Sequence, residues 1–410
     1  MNNTEKEKKC WVCDHAISPF MSFGDMPIAN NFLNKEDFKD EYFFEMEPAF
    51  CENCKSFQLI NQPEPEKMFH DNYAFFSGTS VLMDKHFKKF AESVLQYIDQ
   101  DSFVVEIGSN DGIMLKNFAE REIKHLGIEP SANVAAVAKE RGINTLVSFF
   151  NKELAEQIVK ENGKAKAFIA ANVMCHIPYI NSIVEGIDTL IDEDGIVIFE
   201  DPYLGDVIEK TTYDQIYDEH TFLFSAHSVK NLFGKYNMEL IDIEHQETHG
   251  GSMRYYLSRK NTRPINKRVE EVFLKENQLG LTNHLTFVQF KDNCERYRNN
   301  LLEILKDIKK EGKSIAGYAA TSKSTTITNY CGINTDLIDC IYDTTPLKHG
   351  KFSPGTHIPI VPHEEFKDNY PDYALLFGYN HSKEIFAKEK EFEEKGGKWI
   401  IYVPEIRVLG

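Results

Sequence analysis

Four cysteines carry the most specific chemical pattern in this 410-residue chain. Cys10-x-x-Cys13 and Cys51-x-x-Cys54 are two thiol pairs within one N-terminal segment. Each pair can place two thiolates on one tetrahedral ion, so together they predict an all-thiolate zinc site. Protein fills every ligand position, which leaves no place for water and makes the ion structural. A redox role is the rival, but redox Cys-x-x-Cys motifs come singly and beside a βαβ pattern. Cys175, Cys294, Cys331 and Cys340 are scattered and are expected to be buried.

The second chemical stretch is Phe103-Val104-Val105-Glu106-Ile107-Gly108-Ser109-Asn110-Asp111-Gly112. An apolar, β-branched run turns through two glycines and enters a helical pattern at Ile113, Leu115 and Phe118. That is a strand, a tight turn and a helix N-terminus. No Gly-Lys-Ser/Thr follows, so it is not a Walker A loop, and the glycine spacing is not GxGxxG. His125–Glu129 reads as the next strand, ending in a carboxylate and broken by Pro130. It lies about 20 residues after the first glycine, where αβ folds place an acid on a ribose diol. A glycine turn with that acid, and no diphosphate cradle, suits a nucleoside without phosphates, and S-adenosylmethionine is such a ligand. The expected cofactor contacts are Glu106, Gly108, Asn110, Asp111, Gly112, Glu129, Pro130 and Asn172. Asn110 and Asp111 also read as caps of the first helix.

These residues need a scaffold, and the chain is long enough for two or three domains. A net charge of −18 argues against a nucleic-acid partner, although a local basic pocket for one diphosphate fits. No apolar run approaches a membrane span and the start lacks an apolar leader, so a cytoplasmic protein without membrane partners is expected. After an amphipathic helix from about Val81 to Ile98, strands are predicted at Phe103–Ile107, His125–Glu129, Thr145–Val147, Ala167–Asn172, Gly195–Glu200, Glu239–Glu244 and Ser252–Leu257. Helices separate the first five, Ser225–Tyr236 precedes the sixth, and the last two should pair antiparallel. That is the seven-stranded sheet of a class I methyltransferase, an α/β Rossmann-like fold. Pro264 to about Glu311 reads as a helical connector. A second αβ unit follows, with strands at Ser314–Ala320, Leu337–Tyr342, Tyr373–Gly378 and Trp399–Val403 and a helix over Ser382–Lys395.

Taken jointly, the paired CxxC, VVEIGSNDG, ANVMCHIPYI, EDPYLGD…YDQIYDEHTFLFS, HGGSMRYYL, NYCGI, YDTTPLKHGKFSPGTHIPI and GYNHSKEI resemble one family. It is the three-domain, S-adenosylmethionine-dependent sugar C-methyltransferases of deoxysugar pathways. The resemblance implies a zinc-binding domain over 1–70, a methyltransferase domain over 71–262, a connector over 263–312 and a Rossmann-like nucleotide-sugar-binding domain over 313–410. It also implies a substrate: a nucleotide-diphosphate 4-keto sugar methylated at the carbon next to the ketone, by a monomer or small homo-oligomer. A methyltransferase acting on oxygen or nitrogen is the alternative, and it would need no α-proton removal.

Carbon methylation requires a base near that carbon and donors that stabilise an enolate. Tyr217-Asp218-Glu219-His220 offers a phenol, two carboxylates and an imidazole. His220 is the expected base, its tautomer set by a partner such as Glu219. Tyr217 and His176 are expected to polarise the ketone, and Tyr73 to close the pocket. In the C-terminal unit, Thr321–Thr326 forms a hydroxyl-rich turn at a helix N-terminus, an anion-binding element. Relatives carry a more glycine-rich turn where this chain has Ala319 and Ser324. Lys323, Ser324, Thr325, Asp343 and Arg254 are the expected substrate contacts, with Lys348, Lys351 and Arg407 as further candidate charges.

Overall fold

The computed structural model describes residues 8–64 and 81–410. Its centre is a seven-stranded sheet. The strands are β1 (Phe103–Ile107), β2 (Lys124–Ile128), β3 (Thr145–Leu146), β4 (Ala165–Ala171), β5 (Ile191–Pro202), β6 (Met238–Gln246) and β7 (Ser252–Arg259), in the order β6-β7-β5-β4-β1-β2-β3. Strands β1 to β5 run parallel, and β7 is antiparallel to both of its neighbours. All five residues of β1 are buried, because helices cover both faces of a parallel sheet. The helices Ala132–Glu140, Lys152–Asn162 and Ile180–Leu190 make the crossovers between parallel strands.

The N-terminal module is joined to this sheet's domain by backbone pairing. Asp25–Pro27 pairs with Phe43–Glu45, and Pro48–Phe50 pairs with Phe57–Leu59. Phe57–Leu59 then takes Phe222–Leu223, from beyond β5, as a third strand. The connector is two helices, Lys267–Gln278 and His284–Lys310. The longer one buries Phe287, Phe290, Leu301 and Leu305, and Phe287 stacks on Phe50 of the N-terminal module at 4.2 Å.

The C-terminal unit is a six-stranded sheet of β8 (Ile315–Tyr318), β9 (Ile341–Asp343), β10 (Ile360–Pro362), β11 (Tyr373–Leu376), β12 (Lys398–Ile401) and β13 (Arg407–Leu409), ordered β10-β9-β8-β11-β12-β13. Only β13 is antiparallel. Strands β10 and β13 are absent from the sequence reading. Each is a three-residue edge strand, and β10 is bounded by Pro359 and contains Pro362, so neither shows a periodic pattern.

One further correction concerns the first glycine turn. Asn110 and Asp111 cap no helix: the chain makes turns as far as Leu115, and helix begins at Lys116. The left-handed Asn110 (φ +49°) instead aims its amide back at β2.

Candidate active site

The carboxyl ends of β1, β2 and β4 open into a cavity of about 690 Å³ that extends to the C-terminal unit. At its sheet end, Gly108 has φ +59°, and a Cβ there would fall 2.2 Å from Val173 Cγ2, so the bend admits only glycine. The Glu129 carboxylate accepts from the Asn110 amide at 3.0 Å and the Ser131 amide at 2.8 Å. Burial raises its pKa while those two N–H groups oppose the rise. The Ser131 hydroxyl also bonds this carboxylate, which keeps acceptor capacity for a ribose hydroxyl. Gly108, Asn110, Glu129, Pro130 and Asn172 all line the cavity, so the site fits the adenosyl cofactor.

Glu106, Asp111 and Gly112 stand behind this wall rather than on it. Burial, then the charges of Glu129 and Asp111, push the Glu106 carboxyl well above its usual range. Asp111 pairs with Arg141 at 2.9 Å, tying the bend to the end of helix Ala132–Glu140. A Cβ on Gly112 (φ +78°) would meet Ile143 at 2.7 Å.

The middle of the cavity belongs to the segment after β5. His220 Nδ1 lies 2.6 Å from the Gln215 carbonyl, which can only accept, so the proton sits on Nδ1. Its Nε2 therefore carries a lone pair, which receives the Tyr217 hydroxyl at 2.9 Å. This corrects the tautomer assignment: Gln215, and not Glu219, orients the ring. Burial, reinforced by the neighbouring His176, holds the His220 pKa well below its usual value. The His176 ring stacks against His220 at 5.4 Å, and burial lowers its pKa to about 4. Glu219 faces the cavity, accepts from Asn30 Nδ2 at 2.7 Å and is pushed by burial up to about 7. Tyr73 lies outside the described residues.

At the far end is the N-terminus of helix Ser322–Cys331, where Thr321 Oγ1 accepts from the Ser324 amide. Lys323 lines the cavity over the Tyr379 ring at 5.2 Å, its Nζ 3.3 Å from the His249 carbonyl. Lys348 lines it too, donating to the Ala320 carbonyl at 2.7 Å above the Phe32 ring. Burial lowers the pKa of both lysines, an unfavourable placement that an anion would relieve.

Several expected substrate contacts fall outside. Ser324 and Thr325 are buried, donating to the carbonyls of Thr321 and Ala29. Asp343 accepts from the amides of Ala320 and Thr345, shaping the turn itself. Arg254 is committed to Glu200, with two nitrogens 2.8 and 3.0 Å from one oxygen, beneath the Phe90 ring. Lys351 and Arg407 do not line the cavity either. The wall holds residues that sequence reasoning missed, among them Asn30, Gln215, His249 and Asn380. His249 and its two following glycines have positive φ, and the His249 carbonyl also accepts from Gln215 Nε2 at 2.5 Å. An HGG triplet is a visible turn signal, but Asn30 and Gln215 carry none.

The four N-terminal cysteines converge, with their sulfurs all within 4.8 Å of one another. Cys10–Cys54 and Cys13–Cys51 are 3.5 Å apart, too far for disulfides and right for shared ligation of one ion. Gln58 and Asn53 point N–H groups at Cys10 and Cys13, as thiolate ligands require.

Comparison with known proteins divides the chain into three matched regions. Residues 10–69 match a zinc binding domain, 82–243 a methyltransferase domain and 247–404 a C-methyltransferase C-terminal domain. The chain is 32% identical to the C-methyltransferase NovU of Streptomyces niveus over 407 residues, covering 98% of this chain and 96% of that one. It belongs to the three-domain C-methyltransferase family. The C-methyltransferase is accordingly an S-adenosylmethionine-dependent enzyme with an N-terminal zinc-binding domain. Solved structures similar to part of it include the magnesium protoporphyrin IX methyltransferase ChlM of Synechocystis PCC 6803 with bound SAH (11% identity, 44% of this chain and 89% of that one, TM-score 0.36). The CcbJ methyltransferase of Streptomyces caelestis is another (8% identity, 42% and 89%, TM-score 0.34). Among the described residues, no helix is long and apolar enough to cross a membrane.

Proposed function

We propose that the C-methyltransferase acts on a nucleotide-diphosphate 4-keto deoxysugar and methylates the carbon next to the ketone. The supporting observation is the order of groups along one cavity. The Gly108 bend and Glu129 stand at one end, Lys323, Lys348 and a helix N-terminus at the other, and His220 with Tyr217 between them. A sugar whose diphosphate rests on the lysines presents its ring to the imidazole.

His220 Nε2 takes the α-proton, breaking the C–H bond and leaving the electron pair on the enolate. The Tyr217 O–H, turned from Nε2 to the ketone oxygen, donates to the negative charge as it develops. His176 is neutral near pH 7 and supports the same oxygen without competing for the proton. The cofactor, when bound, supplies an electrophilic methyl group to the enolate carbon. Glu129 would hold its ribose, with Gly108 allowing close approach.

Incubation in deuterated water with S-adenosylhomocysteine and a nucleotide 4-keto sugar tests this reading. Deuterium should enter the carbon next to the ketone, and labelled S-adenosylmethionine should deliver its methyl group there. Label arriving on oxygen or nitrogen, without exchange, would refute it.

A further inference from the structure

The catalytic segment and the C-terminal helix do not touch the cavity independently, because one stretch of the zinc module runs between them. The Ala29 amide donates to Asp218 Oδ1 at 3.0 Å, and the Ala29 carbonyl accepts from Thr325 Oγ1 at 2.9 Å. At the next residue, Asn30 Nδ2 donates to Glu219 Oε1 at 2.7 Å while Asn30 Oδ1 lies 2.9 Å from Ser322 Oγ. Two consecutive residues thus each link the methyltransferase domain to the start of helix Ser322–Cys331. Leu33 extends the tie by pairing with Phe352.

We propose that Asn30 is a positioning residue that holds Glu219 as an ionised hydrogen-bond acceptor, and that Ser322 fixes which end of the amide faces it. The inference rests on the reading that this cavity is where the sugar is methylated. An amide can present either oxygen or NH2. With the Ser322 hydroxyl donating to Oδ1, only the NH2 end is left for Glu219, and an NH2 donor stabilises the carboxylate over the acid. Among the described residues, Asn30 is the one group opposing the burial that raises the Glu219 pKa.

Among the described residues, the other titratable groups around Glu219 do not supply a counter-charge. Asp218 is adjacent and its pKa is raised well above the usual range by burial and then by Glu219 itself. Burial pushes the Cys175 thiol up, and the same cause holds His176 and His220 neutral. The carboxylate therefore depends on a residue contributed by another domain.

An infrared titration of the full-length zinc-loaded protein reads this without any substrate. The carbonyl band of protonated Glu219 is identified by its absence from Glu219→Gln. Loss of one hydrogen bond to a charged group corresponds to about one to two pH units. The midpoint should rise by that much in Asn30→Ala and should also rise in the isosteric Asn30→Asp, where a second acid faces the first. Ser322→Ala should move it upward by less. Unchanged affinity for S-adenosylhomocysteine shows that the variants are folded. A midpoint unmoved in both Asn30 variants overturns the proposal, and one unmoved in Ser322→Ala overturns the part assigned to Ser322. In turnover, the acid limb of kcat/KM should follow the infrared midpoint, whereas a merely structural role would lower kcat and leave the limb in place. Should no keto sugar be methylated, the assignment of function fails while the infrared result stands by itself.

Discussion

The Tyr217 hydroxyl lies 2.9 Å from Nε2 of His220, and the two rings are 4.1 Å apart. With Nδ1 committed to the Gln215 carbonyl, this is the only lone pair the imidazole offers. The proposed base and a phenolic donor are therefore already in contact before substrate arrives.

His220→Gln should lower turnover by about 10²- to 10⁴-fold, the usual range for a general base. Tyr217→Phe should keep the base but lose the donor, so solvent exchange at the sugar carbon should slow while affinity for S-adenosylhomocysteine stays constant. Exchange rates by NMR and affinities by calorimetry check both.

Gly108→Ala should abolish cofactor binding, because the new Cβ would lie 2.2 Å from Val173 in a backbone region that alanine resists. Glu129→Ala should weaken S-adenosylhomocysteine by roughly 10- to 100-fold, the value of a hydrogen bond to a charged group. Calorimetry on the two variants measures both effects.

Lys323→Ala and Lys348→Ala should each weaken a nucleoside diphosphate by about tenfold or more and leave S-adenosylhomocysteine unaffected. Equal losses for both ligands would mean that the lysines support the fold instead. Competition binding at two salt concentrations separates these outcomes, since only a phosphate contact is screened.

His176 predicts a specific acid sensitivity. Unfolded, it takes up its proton near pH 6.5; folded, burial delays uptake to about 4. Between those values the unfolded chain binds more protons, so stability falls as pH falls through that window and is unaffected by this group above it. Thermal unfolding of His176→Gln should lose less between pH 6.5 and 4 than the parent does.

Metal analysis should find one zinc per chain, held by Cys10, Cys13, Cys51 and Cys54. Removing zinc, or substituting Cys54→Ser, should abolish turnover as well as lowering the melting temperature, because Ala29 and Asn30 bond Asp218 and Glu219, next to the proposed base.

The sequence was informative where chemistry and local geometry coincide. The cysteine pairs, the glycine bend, Glu129 and the seven central strands show period, spacing or turn residues that need no tertiary context. Arg254 misled because a lone arginine on a strand looks the same whether it meets a ligand or, as here, Glu200. Asn30 and Gln215 were invisible because each acts through hydrogen bonds that only the folded chain assembles, Asn30 with Glu219 and Ser322 and Gln215 with His220 and His249. Ala319 lies between these cases. Its φ of +73° lies in the backbone region that favours glycine, so the turn forms here without the residue type that signals it.

Phe222–Leu223 completes the zinc module's sheet only two residues after His220. Exchange of modules between relatives would therefore break a β-ladder beside the proton acceptor, even when the splice is made in a distant linker. A chimera carrying a foreign first module should work only if it keeps the partner strand's register. This places a barrier on modular shuffling: the zinc module and the strand that follows His220 have to be exchanged together.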